Sequence, residues 1–286
     1  GCIVVKKYVI LYNPYSANNN GLEYAKTLEN IYDSDVELIY ESMPLVEDFK
    51  EFFKKYHEDI IICGGDGTLN YFINHTNNIK YDNVILYYAT GSGNDFHNDI
   101  GNKVKIPYEI NQYLKDLPTV TVKGKDYKFL NNVGYGIDGY CCEEGDLIRE
   151  RTSKPVNYTK IAIKGLLFKF KPRNAKVWVD GKYYEFKDAW LVPTMNGRFY
   201  GGGMMIAPNQ YRLNKDHLVT LVIMNASSRL ETLLTFPKIF KGEHINHKMI
   251  TVLEGHDIKV SFDIPCPLQI DGETINDVLE YHVVTK

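Results

Sequence analysis

No apolar run in this sequence approaches the roughly 18–20 residues that a helix needs to span a bilayer, so no transmembrane segment is expected. Low-complexity tracts and internal repeats are also missing, and a composition 44% hydrophobic and 24% charged excludes a disordered chain. Cysteine is scarce. Cys2, Cys63, Cys141, Cys142 and Cys266 are odd in number and form no C-x-x-C pair, which supports neither a zinc site nor a disulfide framework, so reduced thiols are expected. The eight histidines show no ligand spacing with carboxylates or cysteines. Excess positive charge is absent too: the formal charge is −3, which argues against nucleic acid as the main partner and against recruitment to membranes by bulk charge. The first residues, Gly1-Cys2-Ile3-Val4-Val5-Lys6-Lys7, lack signal-peptide order, so a cytoplasmic protein is expected. At 286 residues, two domains are the natural division.

The segment that organises the rest is Cys63-Gly64-Gly65-Asp66-Gly67-Thr68-Leu69-Asn70, a glycine-dense turn after the apolar run 60–62. A strand that breaks into glycines and re-enters as a helix lays backbone N–H groups against phosphate. Glycines admit close approach or positive φ, Thr68 is the expected helix N-cap, and Asp66 places one carboxylate in the turn. A plain tight turn is the bland alternative.

The segments before it alternate. Residues 8–12 read as a buried strand running into Asn13-Pro14-Tyr15-Ser16, followed by a helix over 21–32, a strand over 36–40, a helix over 46–56 and a strand over 58–63. A helix over 69–77 and a strand over 84–89 continue the pattern. This predicts a doubly wound α/β layer, which binds ligands beyond the C-terminal ends of its strands. The strand at 84–89 runs into Thr90-Gly91-Ser92-Gly93-Asn94-Asp95-Phe96, a second glycine-hydroxyl-amide loop on the same sheet edge. Neither G-x-G-x-x-G nor G-x-x-x-x-G-K-[ST] is present, so a Rossmann dehydrogenase and a P-loop enzyme are not indicated.

From about residue 123 the pattern changes to short strands with turns. Val177-Trp178-Val179-Asp180-Gly181-Lys182-Tyr183-Tyr184 is a hairpin around Asp-Gly. Further strands are predicted over 190–193, 218–224, 249–253, 258–262 and 281–284, closing as an antiparallel sandwich. The expected division is therefore 1–122, a nucleotide-binding α/β domain, and 123–286, a β-sandwich with its C-terminal residues returning to the first domain.

Taken together, Gly64 to Asn70 and Gly91-Ser92-Gly93-Asn94-Asp95-Phe96 resemble the diacylglycerol kinase catalytic domain, shared by soluble bacterial lipid kinases, ceramide kinases and sphingosine kinases. Asn196-Gly197-Arg198-Phe199-Tyr200-Gly201-Gly202-Gly203-Met204 with Ala207-Pro208, and Gln269-Ile270-Asp271-Gly272-Glu273, extend the resemblance over nearly the whole chain. It implies a kinase using ATP and Mg²⁺ on a lipid hydroxyl such as that of diacylglycerol, with Glu273 as general base. Gly64, Gly65, Asp66, Gly67, Thr68, Leu69 and Asn70 would cradle phosphates with Asn13, Ser92 and Asn94, and Asp66 would hold Mg²⁺–ATP directly or through water. It also implies a structural Mg²⁺ on Asp216 and the carbonyls of Leu213 and Leu218. The lipid would be met at a membrane surface by peripheral association, and a homodimer stays open. Residues 157–170 and 230–240 are the apolar, lysine-bearing candidates for that contact; helices packed on the sandwich are the bland reading of both.

Three positions leave the family pattern. Tyr71 stands for the usual Glu, Ala17 follows Ser16 where Gly is preferred, and His217 replaces the Gly after Asp216. An NAD kinase, disfavoured by the Asn94-Asp95-Phe96 loop, and a nucleotide- or lipid-binding module without catalysis are the competing readings.

Overall fold

The structure is a computed structural model that describes residues 4–90, 94–101, 104–137, 141, 147–148, 151, 157–165, 169–226 and 228–286. Ser92 lies outside the described residues. The first domain is a five-stranded sheet in the order β2-β1-β3-β4-β5, built from β1 (Lys7–Tyr12), β2 (Glu37–Ser42), β3 (Asp59–Gly64), β4 (Ile85–Ala89) and β5 (Tyr108–Glu109). The first four strands are parallel and β5 is antiparallel to β4.

Both faces of this sheet are buried, which is why its strands read as continuous apolar runs. Val9, Leu11, Ile60, Ile62, Ile85 and Tyr87 face one side, with α2 (Phe49–Lys55) and α3 (Asp66–Thr76) packed over them through Phe49, Phe52, Phe53, Leu69 and Phe72. Ile10, Ile61, Cys63 and Tyr88 face the other, covered by α1 (Gly21–Lys26) through Ala25 and by Leu28 beyond it. The helix expected over 21–32 thus ends at Lys26 and continues as a 3₁₀ turn, Thr27–Asn30. The helix expected from residue 46 starts at Phe49, because Asp48 is its N-cap and accepts from the Lys50 N–H.

Among the described residues, nine strands form the second domain. In order they run β12-β11-β10-β8-β13-β14-β6-β7, with β9 paired to both β10 and β13. They are β6 (Thr119–Val122), β7 (Lys125–Lys128), β8 (Asn132–Gly136), β9 (Arg173–Val179), β10 (Lys182–Met195), β11 (Val219–Asn225), β12 (Ile250–Gly255), β13 (Asp257–Ile270) and β14 (Glu273–Val284). All these pairings are antiparallel.

Two long strands turn the sheet into a sandwich. The first half of β10 pairs with β9 and its second half with β8 and β11; β13 likewise passes from β9 to β8, with register shifts inside both strands. A bulged strand bends, and here it moves between layers around a core of Val177, Val260, Tyr135, Leu268 and Tyr281. The short strands expected over 190–193, 258–262 and 281–284 are segments of β10, β13 and β14 respectively. The Asp180-Gly181 hairpin is present, with φ of 49° and 83° at its two turn residues. β6 pairs with β14, so the second sheet takes the chain a few residues before the expected division at 122/123.

Candidate active site

The glycine turn forms as its sequence implies, but its side chains face in directions that local spacing does not disclose. β3 ends at Gly64, Gly65 precedes the helix, and α3 begins at Asp66 rather than near Thr68. Thr68 is the third helical residue, and its hydroxyl folds back over Gly64, where a β-carbon would come within 2.2 Å of Oγ1. The same hydroxyl accepts from Asn13 Nδ2 at 3.2 Å. Asn13 is fixed in turn by the Tyr15 N–H on its Oδ1 and by the Ser16 hydroxyl on its carbonyl. This loop carries Ala17 at φ 51°, so the position where the family prefers Gly has a left-handed backbone here despite its methyl group.

Asp66 joins the two glycine loops. Its carboxylate accepts from the N–H groups of Asp95 at 2.8 Å and Phe96 at 3.1 Å, capping α4 (Asp95–Asp99) from another part of the chain. Asp95 reaches onward to the second domain, accepting from the N–H groups of Gly202 at 3.1 Å and Gly203 at 2.9 Å. These bonds give the triple glycine a role: Gly201, Gly202 and Gly203 have φ of 62°, 81° and 126°, and the bend aims two backbone donors at one buried carboxylate. Asn94 is buried beneath the turn, donating to the Thr90 carbonyl at 2.7 Å, with its Oδ1 3.1 Å from a β-carbon placed on Gly65.

A second buried acid, Asp271, sits in the two-residue turn between β13 and β14, with φ of 47° there and 87° at Gly272. The turn is the surface hairpin that Asp-Gly suggests, yet the side chain points inward. It accepts from the N–H groups of Leu130 (2.6 Å), Asn131 (2.7 Å) and Asn132 (3.0 Å), and from Asn70 Nδ2 (2.8 Å). Asn74, one turn after Asn70, donates to the Lys128 carbonyl at 2.9 Å and accepts its N–H at 2.8 Å. The helix that leaves the glycine turn is therefore stitched along one edge to the second domain. Asp99 completes the junction, with Arg212 Nε at 2.5 Å and Arg198 Nε at 2.8 Å; Arg212 also donates to Leu130 O and Asn131 Oδ1. Asp99, Arg212 and Asn74 are marked by no local motif, and Arg198 lies within the Asn196 to Met204 segment with nothing there to single it out. The only sequence sign of Asn74 is its i, i+4 spacing from Asn70.

This architecture puts Glu273, the first residue of β14, against the start of α3. A β-carbon at Gly67 would stand 3.3 Å from Glu273 Oε1, so the third glycine of the turn is the one that leaves room for the acid. The two border a cavity of about 720 Å³ that also meets Asn13, Thr68, Asn70, Tyr71, His75 and Tyr127. Tyr71 lies in its wall, stacked on His75 with ring centroids 3.8 Å apart. The departure from Glu thus replaces a carboxylate by an aromatic edge along the same helix. A groove of about 830 Å³ on the far side of α3, near Lys80 and Asp116, contains none of the motif residues.

Electrostatics follow from burial. Asp66, Asp95 and Asp271 are all held above the ordinary carboxylate range, first by desolvation and against the N–H groups they accept from. For Asp95, with the charge of Asp66 beside it, the rise reaches about 8. An acid whose pKa is raised by folding takes up protons on folding. Its contribution is full below the unfolded value near ~4 and is lost as pH climbs through the folded one. Urea unfolding is therefore expected to show stability falling from about pH 4 to about pH 8, by up to about 1.4 kcal/mol per pH unit for each proton taken up. Asp95→Asn should flatten that decline; an equally steep decline in the variant would contradict the assignment.

The loop assigned to a structural Mg²⁺ is closed by side-chain amides. The Leu218 carbonyl accepts from Asn214 Nδ2 at 2.9 Å and Gln210 Nε2 at 3.0 Å, filling both of its acceptor positions, while Asn214 Oδ1 accepts the Leu218 N–H at 2.8 Å. The Asp216 side chain is exposed, and His217 holds φ 55°, the left-handed backbone that a Gly would adopt freely. These donors suit an amide and do not suit a cation, and no step below uses one there. We expect EDTA to move the melting temperature by less than about 1 °C, whereas Asn214→Ala should cost about 1–2 kcal/mol in chemical unfolding.

With this geometry in place, comparison with known proteins is decisive. The diacylglycerol kinase catalytic domain model matches residues 7–123, and the model described as the YegS C-terminal NAD kinase beta sandwich-like domain matches 131–284. The chain belongs to the diacylglycerol kinase catalytic-domain family. The curated relatives it matches here are distant in sequence. A diacylglycerol kinase of Bacillus subtilis (strain 168) is 24% identical, covering 94% of this chain and 90% of its own. A diacylglycerol kinase of Mycobacterium tuberculosis is also 24% identical, over 77% and 75% of the two chains. A crystal structure of a diacylglycerol kinase from Bacillus anthracis (strain Sterne) superposes with a TM-score of 0.60 at 16% identity, covering 98% of this chain and 94% of that one, a likeness of fold. Among the described residues of this family member, no helix is long and apolar enough to cross a membrane.

Proposed function

We propose that this chain transfers the γ-phosphate of ATP to the hydroxyl of a lipid, diacylglycerol or one similar to it. The observation that carries the reading is Glu273 facing Gly67: a carboxylate from the far end of the sequence stands at the helix start where phosphate would bind. The first N–H groups of α3 lack intrahelical acceptors and point out of the turn, a site for anionic oxygens. Phosphoryl transfer asks little covalent chemistry of a protein beyond orientation, charge neutralisation and a base for the hydroxyl proton.

On this reading Asn13, Gly67 and Thr68 hold the phosphates, and Glu273 accepts the proton of the lipid hydroxyl as its oxygen bonds to the γ-phosphorus while the bond from that phosphorus to the bridging oxygen breaks and ADP leaves. Mg²⁺ bound with ATP would neutralise phosphate charge, taking its ligands mostly from phosphate and water, with Glu273 the motif acid that borders the cavity. Asp66 supports the site from behind: its oxygens are committed to the N–H groups of Asp95 and Phe96 and hold the two loops in register. The test is transfer from labelled ATP to a panel of dispersed lipids with NAD alongside, paired with mass spectrometry of lipid that copurifies with the protein. Labelled lipid supports the reading, and label on NAD alone would replace it.

A further inference from the structure

A second feature lies away from the cavity, on the outer face of the sandwich. α5 (Tyr158–Lys164) and α6 (Arg229–Thr235) are far apart in sequence but pack on the same core, through Ile161 and Ala162 from one segment and Phe236 and Ile239 just after the other. Arg229 joins them. Its Nη1 donates to the Gly165 carbonyl at 3.3 Å, its guanidinium lies 5.1 Å from the Trp190 ring, and Phe170 packs on the same ring at 5.8 Å.

What these segments present to solvent is unlike the rest of the chain. Leu230 and Leu234, one turn apart on α6, are 64% and 67% exposed. Residues 157–173 and 228–248 together carry nine Lys and Arg against two Glu, a net of +7 in a chain whose formal charge is −3. One of the two acids, Glu231, is paired with Lys248 at 3.3 Å. Lys160, Lys164, Lys169, Lys171, Lys238 and Lys241 are exposed. Two exposed leucines on segments rich in exposed lysines match an anionic lipid surface, where apolar side chains enter the headgroup boundary and ammonium groups meet phosphate. A neutral or acidic protein face would leave one of the two elements unused, and the concentration of positive charge disfavours a second copy of the same face.

We infer that this leucine–lysine face, carried by α5, α6 and the described lysines that follow each of them, is the surface by which the protein docks on anionic membranes. The inference rests on the lipid-kinase reading for its purpose, but vesicle binding requires neither nucleotide nor turnover, so the two can fail separately.

The experiment is sedimentation of the full chain with phosphatidylcholine vesicles and with vesicles containing phosphatidylglycerol. Binding to the anionic vesicles is expected, with a steep loss on raising salt from about 0.1 to 0.5 M. Leu230→Ser with Leu234→Ser should weaken it at least about 10-fold. Lys238→Glu with Lys241→Glu should weaken it at least about 25-fold, each basic residue near an anionic surface contributing roughly fivefold. All four sites are exposed, and unchanged melting temperatures would show that the variants fold. Transfer to micelle-dispersed lipid should survive in both variants. Equal binding to the two vesicle types, unchanged binding by both variants, or a dimer in sedimentation velocity that the leucine substitutions dissociate would overturn the assignment. Anionic vesicle binding without any lipid phosphorylation would retain the surface and remove the proposed activity.

Discussion

Glu273→Gln is expected to reduce phosphate transfer by about 10³-fold, within the usual range for loss of a general base, while leaving the fold and the affinity for ATP nearly unchanged. The expectation follows from where the residue stands. Glu273 opens β14 at the rim of the cavity and is exposed, so its carboxylate is not part of the sandwich core. Gln keeps the shape and one acceptor oxygen but cannot take up the proton of the hydroxyl. The loss should therefore fall on kcat and leave KM for ATP within about threefold. Single-turnover transfer with the two proteins at saturating ATP separates the terms. A variant retaining more than a tenth of wild-type turnover would remove Glu273 from the role of base.

Asp271→Ala should have the largest effect on stability, about 3–5 kcal/mol, or roughly 6–20 °C in melting temperature for a protein of this size. One buried carboxylate satisfies three consecutive backbone N–H groups and the Asn70 amide, and thereby ties α3 to the head of β8. Removing it strands three backbone donors and leaves Asn70 Nδ2 with only its longer bond to the Lys128 carbonyl, at 3.4 Å. Asp271→Asn should recover only part of the loss, because its NH₂ group would face donors. Calorimetry on the three proteins measures this directly. If Ala and wild type melted together, the junction would be held by something other than these bonds.

The contrast between these neighbours shows how far the sequence was legible. Strand positions in the first domain could be read because both faces of a parallel sheet are buried, so Val9 to Leu11 and Ile60 to Ile62 stand out as apolar runs without needing any knowledge of their partners. The sandwich was legible as a class, but not the lengths of β10 and β13. Each passes between layers through register shifts, and the exposed stretches at the shifts break the apolar pattern.

Directions of side chains were least legible. Nothing in Gly65-Asp66-Gly67 says that the acid will cap a helix from the next loop, because its partners, the N–H groups of Asp95 and Phe96, are identical in every residue type. Similarly, Asp271 in a D-G turn carries no mark of burial, while Glu273 beside it reaches the rim. The triple glycine had no chemical account until Asp95 was found beneath it. Two departures from the family, Ala17 and His217, stand at left-handed backbone positions that a Gly would adopt freely, so the substitutions alone were a poor guide to loop shape. The third, Tyr71, changes what lines the cavity.

The central claim is that the cleft between Gly67 and Glu273 moves phosphate from ATP to a lipid hydroxyl. It is tested most directly by incubating the purified chain with γ-labelled ATP, Mg²⁺ and mixed vesicles containing diacylglycerol, then resolving the lipids. The account predicts labelled phosphatidic acid or the phosphate ester of a related lipid alcohol, reduced about 10³-fold by Glu273→Gln. Absence of label from every lipid acceptor, or equal labelling by wild type and Glu273→Gln, would contradict it.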